Sequence, residues 1–446
     1  MHLIDRYWVM HWLNARKMPI EEIERLTEST LIRQLLEGRH AEASLDDVAA
    51  LARTLGLSLD EFTREGKSYP SVIHMGHDEL LSTRREVRRG GRHYYTYYSL
   101  PGPTNSVVPV LIDILSAPND ELVQNNGHLE PAITVNLGPG DIVGEWKRGE
   151  HVERRMFEAN HDSETGWISG DSYFEPPYFP HTYGLASLMP ARILSYTVRS
   201  NLEPLVHQMN RWPQSSVQCM RERLLHNRVS AAALLGFELM RRGYNPSVIE
   251  SHLGLPAGSV EGFVNGSREA LSIGDLRRVA GHIGIDYRTL LDSFVFEDDL
   301  CRFWLTIADS LRTTRPFGAY SVASVAMSAR CPQASGFFMR VENRSDSPEL
   351  DLYSPTACHY LVTGGELELV FSENAEVVKV DMKKDDAVWI APFVQHAFCG
   401  AGALLRMDNA DGLGGADYLE LTNTADLAYT LMRAYRDLQP WTPPKS

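Results

Sequence analysis

The chain has 446 residues, 43% of them hydrophobic and 23% charged, with a formal net charge of -15. That length exceeds a single hydrophobic core and predicts two to four domains of ordinary globular composition. The negative balance repels phosphodiester backbones, and no apolar run approaches the ~20 residues that span a bilayer, so neither nucleic acid nor membrane is an expected partner.

The N-terminal residues Met1 to Arg6 lack an apolar core and a small-residue cleavage site, which points to a cytoplasmic chain. Residues 12 to 65 then carry helical periodicity with short polar breaks: Ile20 to Leu26, Leu31 to Leu36 and Leu45 to Gly56. This is the pattern of a small helix-turn-helix bundle. Residues 1 to 68 hold nine Lys or Arg against twelve Asp or Glu, and Leu31 to Arg39 offers only Arg33 and Arg39 as cations. A DNA reader needs a basic recognition face, so the bundle is expected to serve structure rather than DNA.

Next comes the basic run Arg84, Arg85, Arg88, Arg89 and Arg92, leading into the aromatic stripe Tyr94 to Tyr98. Guanidinium and phenol donors together suit a small phosphoryl or carboxylate group. Strands are predicted at Tyr94 to Leu100, Val107 to Leu115, Ala132 to Leu137, Trp167 to Ser169 and Ala191 to Thr197, punctuated by Gly138-Pro139-Gly140-Asp141. Many short strands with Gly and Pro turns, together with the Gly170 to His181 segment, look like a cupin barrel. Within it, His128, Glu175 and His181 are two imidazoles and one carboxylate, the donor set that fills one face of an octahedral Fe(II). Zinc accepts the same donors.

The order then repeats. Helical segments at Pro246 to Gly254, from Val260, and at Leu276 to Ile285 precede predicted strands at Ala319 to Met327, Gly336 to Val341, His359 to Val362, Glu366 to Phe371, Ala387 to Ile390 and Leu404 to Met407. The expected fold is α+β, a tandem duplication of a helical bundle followed by a β-barrel: 1–68 and 69–205, then 206–298 and 299–446. Aligning the copies sets Asp171 on Asp386, Pro176 near Pro392 with a one-residue slip, His181 on His396, and His128 on His359. At the position of Glu175 the second copy has Ile390, which cannot ligate a metal. The first barrel is therefore expected to carry the metal and the second to be vestigial. Five cysteines, Cys219, Cys301, Cys331, Cys358 and Cys399, form no Cys-x-x-Cys pair and read as reduced thiols.

Several segments carry a closer likeness: His11-Trp12-Leu13-Asn14-Ala15-Arg16-Lys17, Asn125 to Pro131, Asn136 to Asp141, Gly170 to Tyr173, and Leu419 to Asn423. On these the chain resembles the 2-hydroxyethylphosphonate dioxygenases from end to end, and is similar to methylphosphonate synthase and, more distantly, to hydroxypropylphosphonate epoxidase. The resemblance implies a non-haem Fe(II) enzyme that cleaves 2-hydroxyethylphosphonate with O2 to hydroxymethylphosphonate and formate, without external reductant, as a homodimer. It implies His128, Glu175 and His181 as ligands, and Arg89, Tyr97, Asn125 and Ser195 around the phosphonate. Lys17 would reach over the metal towards oxygen, with Tyr360 and a cation on strand 404 to 407, here Arg406 where the family has lysine, approaching from the second half or a partner subunit. Glu175, rather than glutamine, favours the dioxygenase over the synthase. A ligand-sensing regulator pairing a helix-turn-helix with a cupin is the alternative from another class, and retention on DNA at moderate salt would reveal it.

Overall fold

A computed structural model of the chain describes residues 2–38, 42–58, 69–104, 106–162, 166–224, 230–267, 271–291, 302–329, 331–345 and 348–441. Arg39 and Cys301 lie outside them. Two compact units result: residues 1–72 with 412–446, and residues 73–411. The C-terminal segment thus groups with the N-terminal helices rather than with the second barrel.

In the first unit, helices Arg6–Ala15, Ile20–Thr27, Leu31–Leu36 and Leu45–Leu55 form the expected bundle. The apolar positions recur every three to four residues, so Val9, Leu13, Ile23, Ile32, Leu35, Val48, Leu51 and Leu55 meet in one buried core. Two further helices, Gly415–Thr422 and Leu427–Ala434, complete the unit.

The second unit holds both barrels and the second bundle, whose helices include Pro246–Leu253, Ser259–Val264 and Ile273–Ile283. The duplication extends to helix ends. Ser44 and Ser272 cap the backbone N–H three residues on, and Gly56 and Gly284 end the same helices in the left-handed region.

A seven-stranded sheet and a three-stranded sheet make up the first barrel; an eight-stranded sheet with one strand paired off its path makes up the second. Strand Ala191–Thr197 occurs as predicted, and strands at Arg92–Ser99, Val110–Ile114 and Ala132–Pro139 fall within a few residues of expectation. The predicted strands at 359 to 362 and 366 to 371 are one continuous strand, Thr356–Glu373. Trp167 to Ser169 is not a strand. Trp167 and Ile168 instead seal the core between the barrels, and the chain pairs at the isolated bridge Ala159 to Gly170, with Asn160 N donating to the Ser169 carbonyl at 2.8 Å. Alternation explains the near-continuous apolar runs, because each central strand feeds two cores. Tyr95, Ile112, Trp146, Tyr173 and Ile193 fill the first barrel, while Leu111, Ile133, Phe174, Leu194 and Tyr196 pack between the barrels with Ala323, Phe338, Leu361 and Leu405.

The barrels exchange strands. Phe303–Leu305, at the head of the second copy, pairs antiparallel with Ser172–Glu175 of the first barrel. Val72–Met75, ahead of the first barrel, takes the edge beside Ala387–Ile390 of the second. The two aspartates of the aligned motif close each exchange: Asp171 accepts from Ile307 N at 2.8 Å and Asp386 from His77 N at 2.8 Å, each at the first residue of a short helix.

Candidate metal centre

The first barrel sets the predicted ligands on three neighbouring segments. Glu175 ends strand Ser172–Glu175, opposite Ala132, and His181 opens strand His181–Leu185, opposite Trp146. His128 lies just before strand Ala132–Pro139, and its ring centroid is 5.4 Å from that of His181. Its Nδ1 bonds the carbonyl of Glu130 at 2.5 Å, which leaves Nε2 as the outward nitrogen. Gly127 makes this approach possible. At a φ of 75°, with the Asn125 side chain accepting from its N–H, it runs so close to Tyr178 that an added Cβ would sit 2.5 Å from that residue's carbonyl carbon.

Glu175 is 1% exposed, and its Oε2 accepts from the Tyr183 hydroxyl at 3.2 Å. Oε1 lies against His181 Nδ1 but makes no directional hydrogen bond, because that N–H is aimed at the Phe179 carbonyl, 2.8 Å away. A carboxylate this deep, with one oxygen unsatisfied, is costly unless a cation accompanies it. His181 Nε2 meets the Asn125 amide nitrogen at 2.9 Å. With the side chains so placed, no three His, Cys, Asp or Glu groups converge on one point among the described residues. The donor chemistry nevertheless fits a divalent ion: a buried carboxylate against His181, with the His128 ring next to that of His181 and the Nδ1 atoms of both imidazoles held by carbonyls, the usual anchoring of ligating histidine.

Around these lie the predicted anion-binding residues. Arg89 donates to the Val123 carbonyl at 2.8 Å and the Thr182 hydroxyl at 3.1 Å, and its guanidinium carbon is 4.9 Å from the Tyr95 ring centroid. Tyr97 neighbours Tyr95 at 5.9 Å between ring centroids, and burial raises its phenol pKa. Ser195 sits in a cross-strand row with Val110, Thr134 and Tyr173. Burial and the nearby Glu175 charge push the Tyr173 and Tyr183 phenols well above their ordinary values, so both remain protonated donors. Tyr183 and Thr182 were not among the predicted site residues. Two-residue alternation from His181 would have pointed to Tyr183.

Tyr360 and Arg406 are brought together with each other rather than with these groups. The Tyr360 hydroxyl lies 2.8 Å from His396 Nε2, while Arg406 pairs with Asp408 at 2.8 Å and lies 5.8 Å from the Tyr360 ring. Lys17 belongs to the helical unit, exposed, with a φ of 54° and its Nζ 5.7 Å from the Trp441 ring.

The second barrel repeats the scaffold without the donors. Ile390 precedes His396 by the same six residues that separate Glu175 from His181, so Pro177, with no slip, is the counterpart of Pro392. Both turns hold a residue in the left-handed region, Tyr178 at 58° and Phe393 at 61°. His396 Nδ1 bonds the Val394 carbonyl at 2.9 Å, as His181 bonds that of Phe179. The expected match of His128 with His359 does not hold. Glu175 opposes Ala132 and Ile390 opposes Cys358, which makes His359 the counterpart of Ile133. Tyr178 N donates to the His128 carbonyl and Phe393 N to that of Ser354, so Ser354 stands where the first ligand would be. His359 points away from its barrel, towards the Tyr196 hydroxyl at 3.1 Å and the Pro101 carbonyl at 2.8 Å.

Residues 81–198 match the 2-hydroxyethylphosphonate dioxygenase cupin-like domain. The whole chain is 39% identical to the 2-hydroxyethylphosphonate dioxygenase of Streptomyces viridochromogenes over 98% of its own length and 99% of the relative's. Among solved structures it resembles a hydroxyethylphosphonate dioxygenase variant, with a TM-score of 0.83 and 36% identity over 97% of this chain and 99% of that one. It also resembles PhpD with cadmium complexed with hydroxyethylphosphonate, with a TM-score of 0.82 and 36% identity over 97% and 100%. The Streptomyces albus enzyme with 2-hydroxyethylphosphonate and Fe(II) bound shares the fold at a TM-score of 0.82 and 18% identity, over 98% of each chain. The chain belongs to the 2-hydroxyethylphosphonate dioxygenase family.

Proposed function

We propose that the protein is an Fe(II)-dependent dioxygenase that converts 2-hydroxyethylphosphonate and O2 to hydroxymethylphosphonate and formate. The products contain every atom of substrate and O2, so no external reductant enters. The observation that carries this reading is the buried Glu175 carboxylate, one oxygen of which makes no hydrogen bond, set against His181, whose ring centroid is 5.4 Å from that of His128.

His128, Glu175 and His181 would hold the iron, which supplies the Lewis acidity and the electron exchange with O2. The remaining tasks fall to the protein. Arg89 provides the positive charge for the phosphonate, and Tyr97, Asn125 and Ser195 provide neutral donors that fix its orientation. Asn125 also sets the start of the His181 strand through its side-chain oxygen, which accepts from His181 N at 3.1 Å, while its amide nitrogen, 2.9 Å from Nε2, would yield that nitrogen to the metal and turn to the substrate. The aromatic lining of Tyr95, Trp146 and Tyr173 excludes water from the reacting carbons. Lys17 would bring an ammonium to developing negative charge; its left-handed backbone closes helix Arg6–Ala15, with Met18 N donating to the Leu13 carbonyl at 2.9 Å.

Tyr360 and Arg406 remain proposed contributors from the second half. The four-part division 1–68, 69–205, 206–298 and 299–446 is proposed as the record of the duplication. A homodimer agrees with the apolar residues left exposed on the C-terminal helices, Leu419, Leu431 and Met432 among them, and sedimentation velocity tests it. No helix among the described residues is long and apolar enough to cross a membrane.

The test is anaerobic loading with Fe(II), addition of 2-hydroxyethylphosphonate, admission of O2, and phosphorus NMR. Hydroxymethylphosphonate is the expected product. A methylphosphonate signal would assign the synthase reaction, and unchanged substrate would remove both.

A further inference from the structure

Arg302 has no place in the ligand set or the anion site, yet it is 0% exposed. It immediately precedes the exchanged strand Phe303–Leu305. In that strand Trp304 opposes Tyr173 and Phe303 opposes Phe174, and the pairing ends one residue short of Arg302 and Glu175, which continue the two strands. Cross-strand partners share a face, which turns Arg302 and Trp304 to the side of Tyr173 and Glu175.

The guanidinium carbon lies 4.8 Å from the Trp146 ring, 5.1 Å from Trp304 and 5.7 Å from Phe179, and the group pairs with Glu153. Two of those rings lead to His181: Trp146 opposes it across the strands, and the Phe179 carbonyl accepts from its Nδ1. An apolar side chain would fill such a slot without the desolvation cost of a cation. Only a planar guanidinium can lie on several aromatic faces while keeping N–H groups for a carboxylate.

We propose that Arg302 is a positioning residue for the metal centre, a buried brace that joins the strand carrying Glu175 to the turn carrying His181. The inference rests on the ligand assignment above. It makes the first barrel's site dependent on a residue supplied from beyond the second helical bundle.

Anaerobic titration with Co(II) alone, followed by its visible absorption, tests the assignment in the full-length protein alongside thermal melts. Arg302→Met, which keeps volume but not charge, is expected to weaken Co(II) binding between about tenfold and a hundredfold. Arg302→Lys should fall in between. Glu153→Gln, on the surface side of the pair, should shift affinity the same way by less, and serves if the Arg302 variants fail to fold. Folded Arg302→Met that binds Co(II) as tightly as the parent, or Glu153→Gln at parental affinity where no Arg302 variant folds, would overturn the role. Glu175→Ala is the control: if it binds Co(II) like the parent, the ligand assignment itself has failed.

Discussion

At the scale of single residues, the site depends on a deeply buried carboxylate that is costly without a cation beside it. Glu175→Ala is expected to remove stoichiometric iron and all turnover, read by metal analysis and phosphorus NMR. Tyr183→Phe removes the hydrogen bond to Glu175 Oε2, and is expected to lower metal affinity by about tenfold while leaving the fold intact. Gly127→Ala must relieve both a φ of 75° and a backbone contact, so a loss above about 1 kcal/mol in denaturant unfolding is expected. The histidines of the second barrel make the opposite prediction. Burial lowers His359 and His396 to about 4. Their neutral forms are stabilised by folding, so the contribution is complete above the unfolded pKa of about 6.5 and is lost as pH falls towards 4. Unfolding free energy should drop over that window by on the order of 3 kcal/mol per histidine, and His359→Gln should flatten part of the slope.

At the scale of elements, local pattern and long-range pairing separate what could be read from the chain. Ala191–Thr197 and Leu31–Leu36 follow from alternation and from helical spacing within a few residues. Glu175 and His181 were legible because a rigid strand end and its next strand start carry them with a fixed spacing. Residue identity pairs His128 with His359, but cross-strand register places Ser354 there, because the two barrels keep the backbone frame and not the side chain. The exchange of Phe303–Leu305 into the first barrel had no local signature, since its partners lie some 130 residues earlier and only their shared face makes Arg302 relevant. The aspartates that close each exchange predict a paired effect. Asp171→Ala leaves the N–H groups of Glu158 and Ile307 without their acceptor, and should cost roughly 1–3 kcal/mol by thermal or chemical unfolding. Asp386→Ala should behave alike through Lys383 and His77.

At the scale of the molecule, one duplicated scaffold has been kept for two purposes. The second barrel retains the turn, the left-handed residue and the anchored histidine, but an isoleucine, a serine and the Tyr360 to His396 bond occupy the places of metal chemistry. It lends a strand and a core to the first barrel, which ties the two halves of the duplication together. The decisive measurement is anaerobic Fe(II) stoichiometry in the parent, Glu175→Ala and His396→Ala proteins. One ion per chain in the parent and in His396→Ala, with none in Glu175→Ala, is the predicted result; iron retained by Glu175→Ala and lost from His396→Ala would contradict the assignment of the metal to the first barrel.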